Sequence, residues 1–173
     1  STGGLDAFTR LFFGKGYWGG KDEEGINEEE RNYIYSIVKD TDLYTNEELP
    51  PIEEGYVRIN HSTGIGLGGG EVLSKLIQDI AEQGLQAQPE GERGKYSESP
   101  HTIFGLVDNP EAGQGNVYNR HYPWVTVDLP TDDDRWSWAI HDIRPGNVVI
   151  LPSQIPKEYI VGINGILVER YKR

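Results

Sequence analysis

Residues 56–63 read Tyr-Val-Arg-Ile-Asn-His-Ser-Thr, and this stretch decides how the rest of the chain is interpreted. Apolar and polar side chains alternate from Tyr56 to Asn60, which predicts a β-strand. The strand ends in His61-Ser62-Thr63, and five glycines follow between Gly64 and Gly70. A polar strand end beside a glycine-rich turn is a place where a ligand can approach the backbone closely.

Two helices are predicted on either side of this stretch. Residues 71–83 place Val72, Leu73, Leu76, Ile77 and Ile80 on one face, as expected for an amphipathic helix. Residues 27–40 also show helical periodicity. Asn27 is positioned to cap that helix and Glu28–Glu30 fill its first turn, where carboxylates favour the helix dipole.

The second half of the chain is predicted to be rich in strands. Strands are expected at 102–107, 124–129, 136–140, 147–151 and 165–171, and Pro156 is expected to open a short helix that ends at Val161. The fold class is therefore α+β, with N-terminal helices against a mostly antiparallel sheet core. No internal repeat is visible.

The length of 173 residues fits a single α+β domain over residues 26–173. Residues 1–25 are rich in glycine and contain five aromatic residues, so they are interpreted as an irregular arm that folds over the body or binds an assembly partner. Residues 86–99 lack periodicity and are predicted to be a long loop, the kind that often serves function. We expect this loop to act as a lid that hinges at Ser99–Thr102.

Composition excludes several classes of protein. The net charge of −12 argues against a broad nucleic-acid-binding surface. No run of 18 apolar residues exists, so no membrane partner is expected. The absence of cysteine removes disulfides, thiolate nucleophiles and cysteine zinc sites. The expected location is that of a soluble protein, either cytoplasmic or virion-associated.

Other chemistries receive little support from the spacing of residues. The histidines His61, His101, His121 and His141 show no H-x-H or H-x₃-H pair, so no metal site is predicted. The glycine turn 64–70 lacks the P-loop lysine and the dinucleotide-binding pattern. Ser62 adjoins His61, but no G-x-S-x-G elbow surrounds it. The triplet Asp132–Asp134 fits a solvated turn better than a calcium loop.

Three segments together resemble the ADP-ribosyltransferase fold, in its diphtheria-toxin and PARP-like branch. Asn60–Thr63 is similar to the His-Gly-Thr strand end of that family, with Ser62 where the glycine usually stands. Ile103–Ala112, which reads Ile-Phe-Gly-Leu-Val-Asp-Asn-Pro-Glu-Ala, and Ile155–Ile160, which reads Ile-Pro-Lys-Glu-Tyr-Ile, match its second strand and its late motif. The resemblance covers residues 55–165.

The resemblance implies that NAD is the substrate. His61 would bind a ribose hydroxyl, the backbone near Ser62 and Thr63 would hold the nicotinamide amide, and Phe104 or Tyr118 would stack on the nicotinamide ring. A carboxylate before the late strand would stabilise the positive charge that develops as nicotinamide leaves. The residue at that position is Asn147, so Glu158, or Asp142, is the carboxylate available as a substitute. Phe104 also replaces the family's tyrosine.

Arg58 has two interpretations. In the other branch of the fold an arginine on the first strand binds NAD, but the Glu-x-Glu motif of that branch is missing at the matching position. Arg58 is therefore interpreted as a structural residue or as a contact to a cofactor phosphate.

Three function classes remain open. The first is an NAD-dependent ADP-ribosyltransferase or NAD glycohydrolase, such as a toxin or a phage-encoded modifier, with a protein acceptor. The second is a non-catalytic virion, assembly or interaction protein on the same fold, which the residue Asn147 and the arm 1–25 favour. The third is a cupin-like barrel, suggested by Arg144–Ser153, although the H-x-H metal ligands of cupins are absent.

Overall fold

A computed structural model describes residues 26–86, 102–109, 122–140 and 144–171 of the chain. Two α-helices lie in these residues, α1 over Glu28–Val38 and α2 over Glu71–Gln83. The strands are β1 Tyr56–Ser62, β2 Leu85–Gln86, β3 Thr102–Val107, β4 Trp124–Pro130, β5 Val148–Pro152, β6 Gln154–Ile155, β7 Ile160–Ile163 and β8 Ile166–Leu167. Short 3₁₀ turns cover Lys157–Tyr159 and Glu169–Tyr171. The α+β class with a mostly antiparallel sheet is confirmed.

Strand β1 lies inside a six-stranded sheet with the order β5-β3-β1-β4-β7-β8. Every neighbouring pair in this sheet is antiparallel. Strands β2 and β6 form a separate two-stranded sheet. Because β1 pairs with β3 on one side and with β4 on the other, both of its edges are covered and its side chains project only from its two faces.

One face of the sheet packs against the helices. Ile59 of β1 lies opposite Val107 and Val127, so these three side chains share a face. That face is buried in one apolar cluster with Ile34 of α1 and with Leu73 and Ile77 of α2, and we call it the helix face. Its burial supplies the main hydrophobic stabilisation of the fold.

The first helix begins as the sequence predicts. The Asn27 side chain accepts hydrogen bonds from the backbone N–H groups of Glu29 and Glu30, at 3.0 and 3.1 Å. These bonds satisfy two of the N–H groups that have no partner inside the helix. The helix ends at Val38, two residues before the predicted end.

Three predictions in the second half of the chain are wrong in detail. Residues 136–140, predicted as a strand, form successive turns. The predicted helix 156–161 is only the short 3₁₀ turn Lys157–Tyr159, after which strand β7 begins. Of the predicted strand 165–171, the residues Ile166–Leu167 form β8 and Val168 forms an isolated bridge with Tyr44, after which the chain turns at Glu169.

Several expectations fall outside the described residues. These are the arm 1–25, the predicted loop 86–99 except Gln86, which lies in β2, the proposed hinge Ser99–Thr102 except Thr102, which begins β3, and the residues Tyr118, His101, His121, His141 and Asp142. In the part of the chain that the structure describes, no helix is long and apolar enough to cross a membrane.

Candidate functional site

His61 lies at the end of β1, one residue before the strand stops. It pairs with Val125 of β4, so its side chain projects from the helix face of the sheet. Unlike Val57 and Ile59 on the same face, which are buried, His61 is half-buried. The imidazole is therefore positioned at the boundary between the core and the surface, at the end of a strand in the interior of the sheet.

Ser62 and Thr63 lie beside His61 but in different environments. Ser62 pairs with Trp124 and projects from the opposite face, so neighbouring positions alone do not make a nucleophile and base of Ser62 and His61. Thr63 is buried, and both its backbone N–H and its Oγ1 donate to the Pro123 carbonyl oxygen at 2.8 Å. These bonds fix the point at which the chain leaves β1.

The glycine-rich turn leads from Thr63 directly to the first residue of α2. Gly70 precedes the helix with φ +60°, a conformation that favours glycine, and no side chain caps the helix. Gly69 is in close contact with Ile65, because a Cβ at Gly69 would lie 2.7 Å from Ile65 Cγ2. A Cβ at Gly68 would meet no atom within 4 Å, so the fold itself does not require glycine there.

Arg58 is enclosed by protein acceptors. Its Nε and Nη2 donate to Asp128 Oδ1 and Oδ2 at 2.8 and 2.9 Å, and its Nη1 donates to the Pro50 carbonyl at 2.8 Å. The side chain is 1% exposed. Burial disfavours the charged guanidinium, but the hydrogen bonds and the charge of Asp128 outweigh it and raise the pKa of Arg58 above its ordinary value. This geometry favours the structural interpretation of Arg58 over a contact to a cofactor.

A network of hydrogen-bonded, buried polar side chains lies beside this ion pair on the same face of the sheet. Asn60 Nδ2 donates to Asp108 Oδ1 at 2.6 Å, and Thr126 Oγ1 donates to Asn60 Oδ1 at 2.7 Å. All three residues are buried. This network was not predicted from the sequence. A signal was present, since the polar residues Arg58, Asn60 and Ser62 occupy alternate positions of β1, on the face opposite Val57 and Ile59.

Asn147 immediately precedes β5, on the far side of β3 from β1. Its backbone carbonyl accepts from the N–H of Val107 at 2.8 Å, and its own N–H donates to the Arg144 carbonyl at 3.1 Å. Two strand spacings, about 10 Å, therefore separate its backbone from β1. Asn147 and His61 are not adjacent in the fold.

Glu158 lies far from His61. It is exposed in the 3₁₀ turn Lys157–Tyr159, and that turn packs at the end of α2, where a Cβ on Gly84 would lie 2.8 Å from the Lys157 nitrogen. His61 lies near the start of α2, and a helix of 13 residues is about 20 Å long. The two predicted catalytic residues are therefore at opposite ends of the helix.

Phe104 is the only predicted stacking residue on a described strand. Its backbone pairs with Ile150 of β5, and its side chain lies outside the described residues. Within the described part of the chain, no group of three histidine, aspartate or glutamate residues is arranged to hold a metal ion.

Comparisons with known proteins do not place the chain in a family. No protein-family model, curated protein or solved structure matches it. The function of the chain is therefore inferred from its own residues.

Proposed function

We propose that this chain binds NAD at the His61 end of β1 and acts as an ADP-ribosyltransferase or NAD glycohydrolase. The observation that supports the proposal is the half-buried His61 at the end of an interior strand, followed directly by the glycine turn 64–70 and the start of α2. A strand end that adjoins a helix start is a common place for nucleotide recognition.

Each part of this region has a role in the proposal. His61 hydrogen-bonds a ribose hydroxyl, and the backbone near Ser62 and Thr63 holds the nicotinamide amide. The uncapped N–H groups at the start of α2 favour the pyrophosphate, since the helix dipole attracts negative charge. Gly68, which is exposed and has space beside it, allows the phosphates to approach the turn.

The position of Glu158, and the amide at Asn147, limit the rate at which nicotinamide can leave NAD. Cleavage of the glycosidic bond develops positive charge on the ribose, and a nearby carboxylate stabilises it. Glu158 is at the other end of α2, and Asn147 is uncharged, so neither supplies this carboxylate at His61. We therefore expect the protein to release nicotinamide from NAD slowly, because only His61 and the backbone near it hold the reacting ribose.

The same observation supports a second candidate function. If NAD binds without cleavage, the chain is a non-catalytic binding or assembly protein that retains the nucleotide site. The amide of Asn147 at the position of the family's carboxylate, and the location of Glu158 at the far end of α2, favour this alternative.

One experiment separates the candidates. NAD binding is measured by calorimetric titration and nicotinamide release by chromatography, for the wild type, His61→Ala, Gly68→Ala and Glu158→Gln. For an enzyme, we expect wild-type turnover that His61→Ala abolishes and Glu158→Gln leaves within about twofold. Gly68→Ala leaves the melting temperature unchanged and weakens NAD binding about tenfold, which is 1.4 kcal/mol.

Each of the other results has a definite meaning. Binding of NAD without release of nicotinamide would select the non-catalytic alternative. Loss of turnover in Glu158→Gln would contradict the assignment of the site to the His61 end of the sheet. A wild-type protein that does not bind NAD would overturn the proposal.

A further inference from the structure

Tyr33 lies on α1 beside the glycine turn 64–70. Its hydroxyl donates to the Leu67 carbonyl oxygen at 3.0 Å. Leu67 immediately precedes Gly68, the exposed glycine at which a Cβ would meet no atom within 4 Å. Neighbouring Cα atoms are about 3.8 Å apart, so this bond places the end of the Tyr33 side chain within one residue of the open part of the turn.

The ring of Tyr33 is accessible to a ligand. Tyr33 is 42% exposed, although its hydroxyl is hydrogen-bonded. Among the residues that the structure describes, no other aromatic ring and no cation stacks on it. Tyr33 therefore presents aromatic surface to the solvent directly beside the turn.

Both sides of the contact between Tyr33 and the turn are anchored in the core. Tyr33 belongs to α1, in which Ile34 and Val38 are buried in the apolar cluster of the helix face. Ile65 and Leu67 of the turn pack against the same cluster. The hydroxyl bond joins these two supports, so the ring loses little conformational entropy when a ligand stacks on it, and such preorganisation favours affinity.

The charged side chains that flank Tyr33 on the two helices are mainly acidic. Glu29–Glu30 lie four and three residues before it in α1, on the same side of that helix, and the exposed Glu71 begins α2. Lys75, one turn further along α2, is paired with Asp79 at 3.0 Å. Carboxylates do not attract phosphate groups, so the affinity that Tyr33 adds comes from its ring and acts on an uncharged base.

We propose that Tyr33 stacks on the adenine base of NAD and forms the adenosine end of the binding site. The inference rests on the proposed function, which assigns the nicotinamide to Ser62 and Thr63 and the pyrophosphate to Gly68 and the start of α2. The adenosine is the part of NAD that has no site in that assignment. One ribose separates adenine from the pyrophosphate, a distance comparable with the length of a tyrosine side chain. A pyrophosphate on the turn therefore brings the base within reach of the Tyr33 ring.

The test compares ligands that contain adenine with one that lacks it. Binding of NAD, ADP and nicotinamide mononucleotide is measured by calorimetric titration for the wild type, Tyr33→Ala and Tyr33→Phe. Tyr33→Ala is expected to weaken the binding of NAD and ADP about tenfold, because stacking on an aromatic ring is lost. It is expected to leave nicotinamide mononucleotide within about twofold. Tyr33→Phe retains the ring and is expected to bind ADP within about threefold of the wild type.

The adenine protons report stacking directly. A tyrosine or phenylalanine ring that lies over adenine shifts the H2 and H8 resonances of bound ADP upfield. We expect this shift in the wild type and in Tyr33→Phe, and we expect it to be absent from Tyr33→Ala saturated with ADP. A residue that only holds the turn in place would change the affinity and leave the shift as it is.

A matched control removes an exposed aromatic ring elsewhere. Trp138 is 59% exposed and follows β4, whose last residue Pro130 pairs with Tyr56 at the end of β1 opposite His61. Trp138→Ala is expected to leave the binding of all three ligands within about twofold of the wild type. Melting curves confirm that each variant is folded.

The outcomes separate this inference from the proposed function. If the wild type binds NAD and Tyr33→Ala binds NAD and ADP equally tightly, the adenine site at Tyr33 is overturned and the site at His61 is retained. The adenine site is also overturned if Tyr33→Ala weakens nicotinamide mononucleotide as much as ADP, or if the adenine shift persists in Tyr33→Ala. A wild-type protein that binds none of the three ligands overturns both proposals.

Discussion

At the scale of single residues, Arg58 shows how a charged side chain is accommodated inside the sheet. Its sequence position allowed either a structural role or a contact to a cofactor phosphate. The structure surrounds it with Asp128 and the Pro50 carbonyl, and the Tyr171 hydroxyl donates to Asp128 Oδ2 at 3.1 Å. Sequence alone could not decide, because the partners of Arg58 come from segments 8 and 70 residues away.

This ion pair gives a prediction about stability. Arg58→Met leaves the Asp128 carboxylate buried beside an apolar side chain, and Asp128→Leu leaves the guanidinium in the same situation. Each single variant is expected to lower the free energy of unfolding by about 3–5 kcal/mol. The double variant Arg58→Met/Asp128→Leu is expected to recover most of that loss, because no uncompensated charge remains.

Urea denaturation of the four proteins measures this coupling as a double-mutant cycle. Single variants that lose less than about 1 kcal/mol would show that solvent reaches the pair. A double variant that is as unstable as the sum of the singles would show that the two side chains act independently.

At the scale of elements, the periodicity of apolar residues in the sequence predicted those strands and helices that bury one continuous face. β1 and α2 were predicted because alternation persists from Tyr56 to Asn60 and helical spacing from Val72 to Ile80. The five residues 136–140, in which Trp136 and Trp138 stand at alternate positions, were predicted as a strand. In the structure the ring of Trp136 is buried and the ring of Trp138 is exposed. The alternate spacing of the two tryptophans therefore does not place them on one face of a strand. Five residues are too few to separate a strand from turns.

The candidate site was less predictable than the elements. His61 could be identified because a strand end and a glycine turn are local features. The separation of Glu158 from His61 follows from the direction of α2 and from the packing of Gly84 against Pro156 and Lys157. These are contacts between distant segments, and no short motif contains them.

Gly84, which ends α2, carries a prediction at this scale. It has φ +82°, and a Cβ there would overlap the Ile155 carbonyl oxygen of β6. Gly84→Ala is therefore expected to lower the free energy of unfolding by more than about 3 kcal/mol, combining backbone strain with a steric overlap. Thermal and urea unfolding of the variant measure the loss.

Gly55 supplies the matched control for Gly84. Its φ is +85°, nearly the same, but a Cβ there would meet no atom within 4 Å. Gly55→Ala is expected to cost only the strain, about 1–2 kcal/mol. Equal losses in the two variants would mean that β6 moves away from α2 without cost and that the close approach is not required by the fold.

At the scale of the whole molecule, Tyr44 joins three parts of the chain that are distant in sequence. It lies between α1 and β1, forms a bridge with Val168 near the C-terminal end of the described chain, and donates its hydroxyl to the Ile77 carbonyl of α2 at 2.6 Å. The side chain is buried. Ionisation of this one group therefore affects the packing of the entire helix face.

The fold is expected to lose stability in alkaline solution through Tyr44. Burial raises the pKa of Tyr44 above its ordinary value of 10.0, and the positive charge of Arg170 opposes the shift only in part. Below pH 10 the phenol is neutral in both the folded and the unfolded chain, so this group makes no pH-dependent contribution. As the pH rises above 10, the unfolded chain releases the proton and the folded chain retains it, so the free energy of unfolding decreases with pH.

Comparison with Tyr44→Phe isolates this effect from the other tyrosines, which number nine. At neutral pH the variant is expected to lose about 0.5–1.5 kcal/mol through the missing hydrogen bond. Above pH 10 its stability is expected to fall less steeply than that of the wild type, so the two curves of unfolding free energy against pH converge. Parallel curves would show that the Tyr44 hydroxyl ionises as readily in the folded protein as in the unfolded chain. In that case the contact with α2 would be open to water, and α2 and the C-terminal segment would be held by the apolar cluster alone.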